Sequence, residues 1–130
     1  MFALDTNTVI YFFKNQGRVK DNLFAKSPQK IVIPAIVSYE LEVGILKSHG
    51  SSQKSKQWST FIDSCQIVGF DTKEAKSAAK IRVDLEKKGK PIGPIDVLIA
   101  ATAVANNLTL VTHNTKEFKR VAGLKLEDWY

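Results

Sequence analysis

Acidic side chains follow the ends of apolar stretches at several places in this sequence. Asp5 comes directly after residues 1–4, which have the length and apolarity of a buried strand. Asn114, with Glu117 three residues later, follows a second such stretch at 108–111. Because sites in parallel α/β folds gather beyond the carboxyl ends of the strands, we expect these side chains to lie in one region.

Two further carboxylates lie in helical stretches. Pro94 suits the first position of a helix, and Asp96 then falls in the first turn, where the helix dipole favours negative charge. Glu40 lies within the helical stretch that follows Pro34. The apolar face after Asp96 repeats at helical spacing and consists of Ile95, Leu98, Ile99, Thr102 and Ala103.

Several carboxylates in one cleft favour a hard divalent cation. Two carboxylates about 4 Å apart repel by about 4 kcal/mol at an effective dielectric constant near 20, and a cation removes that repulsion. Mg²⁺, for which Mn²⁺ can substitute, prefers the oxygen ligands that such carboxylates offer. Zinc is disfavoured because His49 and His113 are far apart in the sequence. Cys65 is the only cysteine, and its apolar surroundings predict a small buried residue.

Each of these residues also has a structural interpretation. Asp5 is placed to cap the helix that begins near Thr6. The alternative for Asp96 is that it serves solely to complement the helix dipole, and the alternative for Glu40 is that it is a solvated helix residue. Asn114 and Glu117 have the spacing of a capping box.

The elements around these residues alternate between short apolar strands and amphipathic helices. This alternation predicts an α/β fold, with a mostly parallel central sheet flanked by helices, in a single domain over 1–130. The predicted strands are 1–4, 31–33, 66–70, 108–111 and 123–126. The predicted helices cover 9–13, 19–25, 35–49, 54–64, 71–88 and a segment from Pro94, with a break at 50–52 and a helical turn at 114–118.

Composition indicates a globular protein with a polyanionic partner. The 130 residues are 44% hydrophobic and 25% charged, and 19 Lys and Arg against 13 Asp and Glu give a net charge of +6. A basic balance favours nucleic acid or an acidic protein as partner. No apolar stretch approaches the roughly 20 residues of a spanning helix, and no signal peptide is recognisable, so we expect no membrane association and a cytoplasmic location.

The sequence resembles the PIN-domain ribonucleases of the VapC toxin type, the toxin half of a bacterial type II toxin–antitoxin pair. The matching motifs occur in the order of that family and cover nearly the whole chain. They are residues 4–8, 38–41 with Gly44, 88–96 with 98–101, 111–114 with Glu117-Phe118, and 123–129.

The resemblance implies a metal-dependent endoribonuclease and a PIN-like fold. Asp5 and Asp96 would be the metal-binding carboxylates, and Glu40 the third acidic residue. Many PIN domains have Asp at a fourth acidic position, where this chain has Asn114. The nearest branch also has Asn there, with Glu117 downstream as the available acid. The fourth position and a second metal therefore stay open.

The mechanism expected on this basis is hydrolysis of an RNA phosphodiester by a metal-activated water. Glu40 would hold metal-bound water or act as general base. Asn7, Thr112 and Asn114 are suited to hydrogen bonds that fix the carboxylates. Ile95 stands where close relatives often have Tyr, a change expected to affect packing or substrate contact.

The family also implies partners. The closest VapC relatives imply the anticodon stem–loop of initiator tRNA as substrate, and Lys87, Lys88 and Lys90 are candidates for contacts with its backbone. A homodimer and a cognate VapB-like antitoxin, whose C-terminal segment lies in an apolar groove, are implied as well. The candidate groove residues are Tyr11, Phe12, Phe13, Ile45 and Leu46, which core packing would also explain.

Other functions remain as alternatives. A metal-dependent DNA nuclease would use the same carboxylates, and a non-catalytic domain that binds RNA or an antitoxin would use them only as caps. A phosphatase with an Asp-x-Asp motif would need a carboxylate where this chain has Asn7, and a receiver domain would need an acidic pair in place of Thr6-Asn7.

Overall fold

A parallel sheet forms the centre of the molecule. The computed structural model describes residues 1–48 and 52–130, and within them five parallel strands lie in the order β3-β2-β1-β4-β5. The strands are β1 (Phe2–Leu4), β2 (Ile31–Pro34), β3 (Gln66–Val68), β4 (Thr109–Val111) and β5 (Lys125–Glu127). Apart from Thr109, the residues of the central strands β1, β2 and β4 are apolar, because both faces of these strands are covered. The predicted α/β fold with a parallel sheet is confirmed.

Helices flank both faces of this sheet. They are α1 (Thr6–Lys14), α2 (Val19–Phe24), α3 (Ala35–Lys47), α4 (Ser52–Asp63), α5 (Thr72–Lys87), α6 (Pro94–Ala105) and α7 (Thr115–Phe118), with a 3-10 turn at Pro28–Lys30. Helix α1 begins at Thr6, as the interpretation of Asp5 as a cap predicted, and therefore starts three residues before the apolar run 9–13. Helix α4 begins at Ser52, which we had predicted to belong to a break. The rest of that break, and His49 at the predicted end of α3, lie outside the described residues.

The strand order places a crevice at the carboxyl end of β1. From β1 the chain moves outward through β2 to β3, and then returns to the other side of β1 to form β4 and β5. Leu4 of β1 pairs with Val111 of β4, and the amide of Asp5 donates to the carbonyl of Val111 at 3.1 Å. Asp5 and Thr112 therefore leave adjacent strands side by side, at the point where an α/β sheet opens to ligands.

Helix α6 is buried on nearly every side between the sheet and α5. Six of its residues are buried, and three of them are alanines that allow close approach of the neighbouring helix. Helix α5 begins with a capping box, in which the Glu74 side chain accepts from the Asp71 amide at 2.9 Å. The capping box thus fixes the start of α5, the helix against which α6 packs, and α6 carries Asp96 in its first turn.

Some apolar positions differ from the sequence-based expectation. In α5, Ala78, Ile81 and Leu85 are buried, whereas Val83 is 49% exposed. We predicted a buried Cys65, but this residue is only partly buried. Its partial burial raises the pKa of the thiol, which makes the thiol a weak nucleophile. None of the described helices combines the length and apolarity needed to cross a membrane.

Candidate active site

Asp5 lies between β1 and α1, at the crevice of the sheet. It is 6% exposed, and its Oδ1 accepts the amide of Thr8 at 2.8 Å, which caps α1. The structural interpretation of Asp5 as a cap is therefore correct. Burial raises the pKa of Asp5; hydrogen bonds from Thr112 and Thr8 oppose this shift, and the charge of Glu40 adds to it. Asp5 thus caps a helix and also lies within electrostatic reach of a second carboxylate.

Asp96 brings the predicted acidic residues together. It lies in the first turn of α6 and is partly buried. Its pKa is raised from 3.8 to about 6, first by burial and then by the negative charges of Glu117, Glu40 and Asp5. We call Asp5, Glu40, Asp96 and Glu117 the acid group, because repulsion links the other three carboxylates to Asp96.

Glu40 is held by the start of α1. The hydroxyl of Thr6 donates to Oε1 of Glu40 at 2.5 Å, which ties α1 to α3. Glu40 is half-buried, so it is not a fully solvated helix residue. We predicted that Asn7 would hold the carboxylates, but it is exposed, and the contacts come from Thr6 and Thr8 instead. Thr8 contacts Asp5 as part of the cap of α1, which the sequence could have indicated, whereas the contact of Thr6 with Glu40 spans 34 positions.

Asn114 and Glu117 do not form the capping box that their spacing suggested. The side chain of Asn114 makes no cap; its Nδ2 donates to Oε2 of Glu117 at 2.9 Å. The other oxygen, Oε1 of Glu117, accepts the amide of Gly93 at 3.2 Å. Glu117 therefore connects α7 to the residue that caps α6, close to Asp96, where a Cβ on Gly93 would lie 3.4 Å from Oδ2 of Asp96.

Two further contacts support this end of the site. Oγ1 of Thr112 accepts the amide of Asn114 at 3.0 Å, which orders the loop after β4. Nη1 of Arg120 donates to the carbonyl of Pro91 at 3.2 Å. Arg120, which the sequence analysis missed, thus joins Glu117 in holding the segment before α6, and no local pattern could have indicated this contact across 29 positions.

The acid group has the chemistry of a magnesium site. All its donors are carboxylate oxygens, and none of the four side chains takes part in an ion pair within residues 1–48 and 52–130. In the same ranges, no three His, Cys, Asp or Glu side chains are positioned to form a ready-made metal site. Mg²⁺ is commonly held by one or two carboxylates and several waters, so a pair such as Asp5 and Asp96 is sufficient. The unrelieved repulsion at Asp96 is what a bound cation would remove, and the residues therefore fit the ion.

The residues expected at a partner groove separate into different surfaces. Phe12 and Phe13 line a cavity of about 750 Å³ between α1, α2 and α4, and Ile45 with Phe13 lines a second of about 300 Å³. Leu46 is 72% exposed. Tyr11 lies elsewhere, against His113. The lining of the larger cavity is mostly apolar, and it also contains three lysines, Lys20, Lys26 and Lys56.

Comparison with known proteins identifies the family. A family model described as PIN domain matches residues 2–124. The chain belongs to the PIN-domain family. This PIN domain is 39% identical over 132 residues to Ribonuclease VapC2 of Rickettsia felis, with 99% of this chain and 98% of the relative covered. It is 35% identical over 128 residues to the tRNA(fMet)-specific endonuclease VapC of Salmonella typhimurium, with 98% and 97% covered.

A solved structure agrees with this assignment. The crystal structure of VapBC2 from Rickettsia felis, bound to a DNA fragment from their promoter, contains a chain that matches this PIN domain with a TM-score of 0.91. The two are 37% identical, and the match covers 99% of this chain and 98% of that chain. The resemblance to VapC proteins that the motifs predicted is confirmed.

Proposed function

We propose that this PIN domain is the endoribonuclease toxin of a VapBC pair and that it hydrolyses RNA phosphodiesters with Mg²⁺ at the acid group. The observation that carries the proposal is the grouping of four carboxylates at the crevice of the sheet. Burial, and then the charges of the other three carboxylates, raise the pKa of Asp96 to about 6. Family membership supports it, because VapC relatives that match the full length are named as ribonucleases.

Each member of the acid group has a separate role in this proposal. Asp5 and Asp96 would hold the cation, and bound Mg²⁺ would supply charge stabilisation at the phosphate and activation of a water nucleophile. Glu40, oriented by Thr6, accepts a proton from the attacking water. Glu117 and Asn114 keep the start of α6, and with it Asp96, in position. The catalytic set is therefore Asp5, Glu40 and Asp96, and the fourth position is filled by a pair that supports them.

The substrate and the partner are proposed from the relatives. A full-length relative is named as specific for tRNA(fMet), so we propose the anticodon stem–loop of initiator tRNA as the substrate. The VapBC2 structure supports a VapB-like antitoxin as partner. The larger cavity, apolar with lysines at its edge, would accept an apolar antitoxin segment with acidic neighbours. A homodimer remains part of the proposal.

Cleavage of matched nucleic acids tests this function. Purified protein should cut initiator tRNA in Mg²⁺ or Mn²⁺ and lose that activity in EDTA, and Asp96→Asn should be inactive while folded. Asp63→Asn, a change of an exposed carboxylate in α4, is the matched control and should keep full activity. Undiminished cleavage in EDTA would refute the metal mechanism, and cleavage of DNA but not RNA would favour the DNA nuclease. Binding of RNA without cleavage would favour the non-catalytic domain.

A further inference from the structure

Three aromatic rings form a group beside the acid group. His113 stacks on Tyr130, with ring centroids 4.1 Å apart and planes 19° apart. Tyr11 meets both rings edge-on, at 6.1 Å from His113 and 4.9 Å from Tyr130. His113 lies between Thr112 and Asn114, which order the site. The ring pair of His113 and Tyr130, which we call the ring platform, therefore lies at the edge of the crevice.

A single carboxylate orients both rings of the platform. Oδ1 of Asp128 accepts the amide of Tyr130 at 2.9 Å. Nδ1 of His113 lies 3.0 Å from Oδ2 of Asp128, and since a carboxylate only accepts, Nδ1 carries the donated proton. Asp128 thus sets the tautomer and the angle of His113 while it holds the backbone that carries the tyrosine.

The loop between α1 and α2 holds Tyr130 from the other side. The amide of Arg18 donates to the carbonyl oxygen of Tyr130 at 2.6 Å. Gly17 has a φ of +61°, and a Cβ there would lie 2.8 Å from Cγ of Tyr130. The tyrosine is therefore fixed by contacts from a second part of the chain.

The platform is held firmly although close to half of each of its residues is exposed. The side chain of His113 is 46% exposed, and Tyr130 is 44% exposed. Rings that serve packing alone are normally buried, as Phe118 is in this fold at 1% exposure. An exposed and preoriented ring pair lowers the entropy cost of adding a third flat ring to the stack.

We propose that the ring platform stacks a nucleobase of the RNA substrate, next to the phosphodiester that the acid group cuts. The inference rests on the proposed ribonuclease function. Nucleases that act on RNA loops meet unstacked bases, and these bases bind to aromatic faces. Stacking on a ring tolerates any base, so the platform positions the strand and leaves the choice of sequence to other contacts. His113 is a positioning residue in this proposal, because it touches a base and not the reacting atoms.

Binding by an inactive protein tests the platform. The reference is Asp96→Asn with the anticodon stem–loop of initiator tRNA, labelled with 2-aminopurine at each loop nucleotide in turn. Adding His113→Ala should weaken binding about 5- to 150-fold and abolish the quenching of one 2-aminopurine that stacking produces. Adding His113→Phe, which keeps a flat ring and removes the nitrogens, should retain both the affinity and the quenching. Because His113 is exposed, both variants should fold, which the far-ultraviolet circular dichroism of each will check.

Three results would overturn the platform. Equal binding by the His113→Ala variant would mean that the rings only anchor residues 128–130. Binding by the His113→Phe variant as weak as that of the alanine variant would mean that the imidazole acts through a hydrogen bond. Quenching of no labelled nucleotide would exclude stacking. If the otherwise unmodified protein cuts the stem–loop in any of these cases, only the platform fails; if it neither cuts nor binds RNA, the proposed function fails and the platform with it.

Discussion

Asp5 combines two duties in one side chain. Its Oδ1 caps α1, and its charge belongs to the acid group. Substitutions at this residue therefore differ in what they remove. Asparagine keeps an oxygen that can cap a helix, whereas alanine keeps neither the cap nor the charge.

We predict that Asp5→Asn abolishes cleavage and preserves stability, whereas Asp5→Ala abolishes cleavage and lowers the free energy of unfolding by about 1 kcal/mol. The physical reason for the second effect is the amide of Thr8, which loses its acceptor. Urea denaturation of both variants, together with a tRNA cleavage assay, measures the two effects separately. Equal stability of the two variants would show that the cap contributes nothing measurable.

Asp96 makes the metal-free protein sensitive to pH. Its pKa is about 6 in the folded state and near 3.8 in the unfolded chain, so between these values the folded protein binds more protons. The contribution of Asp96 to the free energy of unfolding should then fall as the pH rises from about 4 to about 6, and stay level above that range. The sign follows because ionised Asp96 is penalised by burial and by its neighbours only when the protein is folded.

We predict that Asp96→Asn raises the melting temperature in EDTA at neutral pH and has a much smaller effect near pH 4. Thermal unfolding at several pH values measures this difference, with Asp63→Asn as a control that should show no such trend. Added Mg²⁺ should stabilise the unmodified protein and leave the Asp96→Asn variant unchanged. A difference in melting temperature that does not depend on pH would contradict the raised pKa.

Residues that act locally were predictable, and residues that act across the fold were not. Asp5 and Asp96 stand at a strand end and at a helix start, and both positions are readable from a few neighbouring residues. The contact of Thr6 with Glu40 spans 34 positions, and that of Gly93 with Glu117 spans 24. The spacing of Asn114 and Glu117 predicted a capping box, yet the Gly93 amide, which is distant in sequence, offered Glu117 a different partner.

Among the elements, the loop between α1 and α2 depends on glycine for a specific reason. Gly17 has a φ of +61° and lies against Tyr130, where a Cβ would be 2.7 Å from the carbonyl oxygen. Gly89 has nearly the same backbone, with a φ of +66°, but nothing lies within 4 Å of a Cβ there. Substitution of Gly89 should therefore measure the cost of backbone strain alone, and substitution of Gly17 the cost of strain together with a steric conflict.

We predict that Gly89→Ala lowers the free energy of unfolding by about 1 kcal/mol, the cost of a left-handed alanine. Gly17→Ala should cost about 1 to 3 kcal/mol more, because Tyr130 must also move. Urea denaturation of the pair measures the difference. Similar losses in the two variants would show that residue 130 is not held at this position.

Element types were predictable because their apolar patterns are local, whereas their ends and faces depend on neighbours. The five strands and the helices arise at the predicted places, since buried parallel strands are short apolar runs. The apolar run 9–13 marks only the later part of α1, because the cap Asp5 lies before that run. In α5, Ala78, Ile81 and Leu85 form the buried face, and Val83 lies outside it.

At the scale of the whole molecule, the net charge of +6 indicates a polyanionic partner without locating it. The lysines of the segment before α6 differ in their contacts. Lys88 pairs with Asp84 at 3.1 Å, while Lys90 belongs to the segment that Arg120 holds beside the acid group. Lys30 directly precedes β2 and so lies at the amino ends of the strands, opposite the carboxyl ends where the acid group lies.

We predict that Lys90→Gln weakens RNA binding and lowers the slope of log affinity against log salt concentration by about 0.7 to 0.9, the value for one lost phosphate contact. Lys30→Gln removes the same charge from the amino-terminal side of the sheet and should leave the slope unchanged. Binding titrations at several salt concentrations with the Asp96→Asn protein provide both slopes. Equal changes in the two variants would indicate diffuse attraction without a defined path for the strand.

The double duty of Asp5 has a genetic consequence. If the proposed toxin function holds, it can be used in a selection for cells that survive expression of this chain. Asparagine at position 5 would then yield an abundant, folded and harmless protein that still occupies the proposed antitoxin. Alanine at the same position would yield a harmless protein with a weakened first helix, and cellular proteases would deplete it. Survivors from a single codon would therefore fall into two classes, which immunoblotting can distinguish, and only the first would act as a decoy that frees a second, active copy.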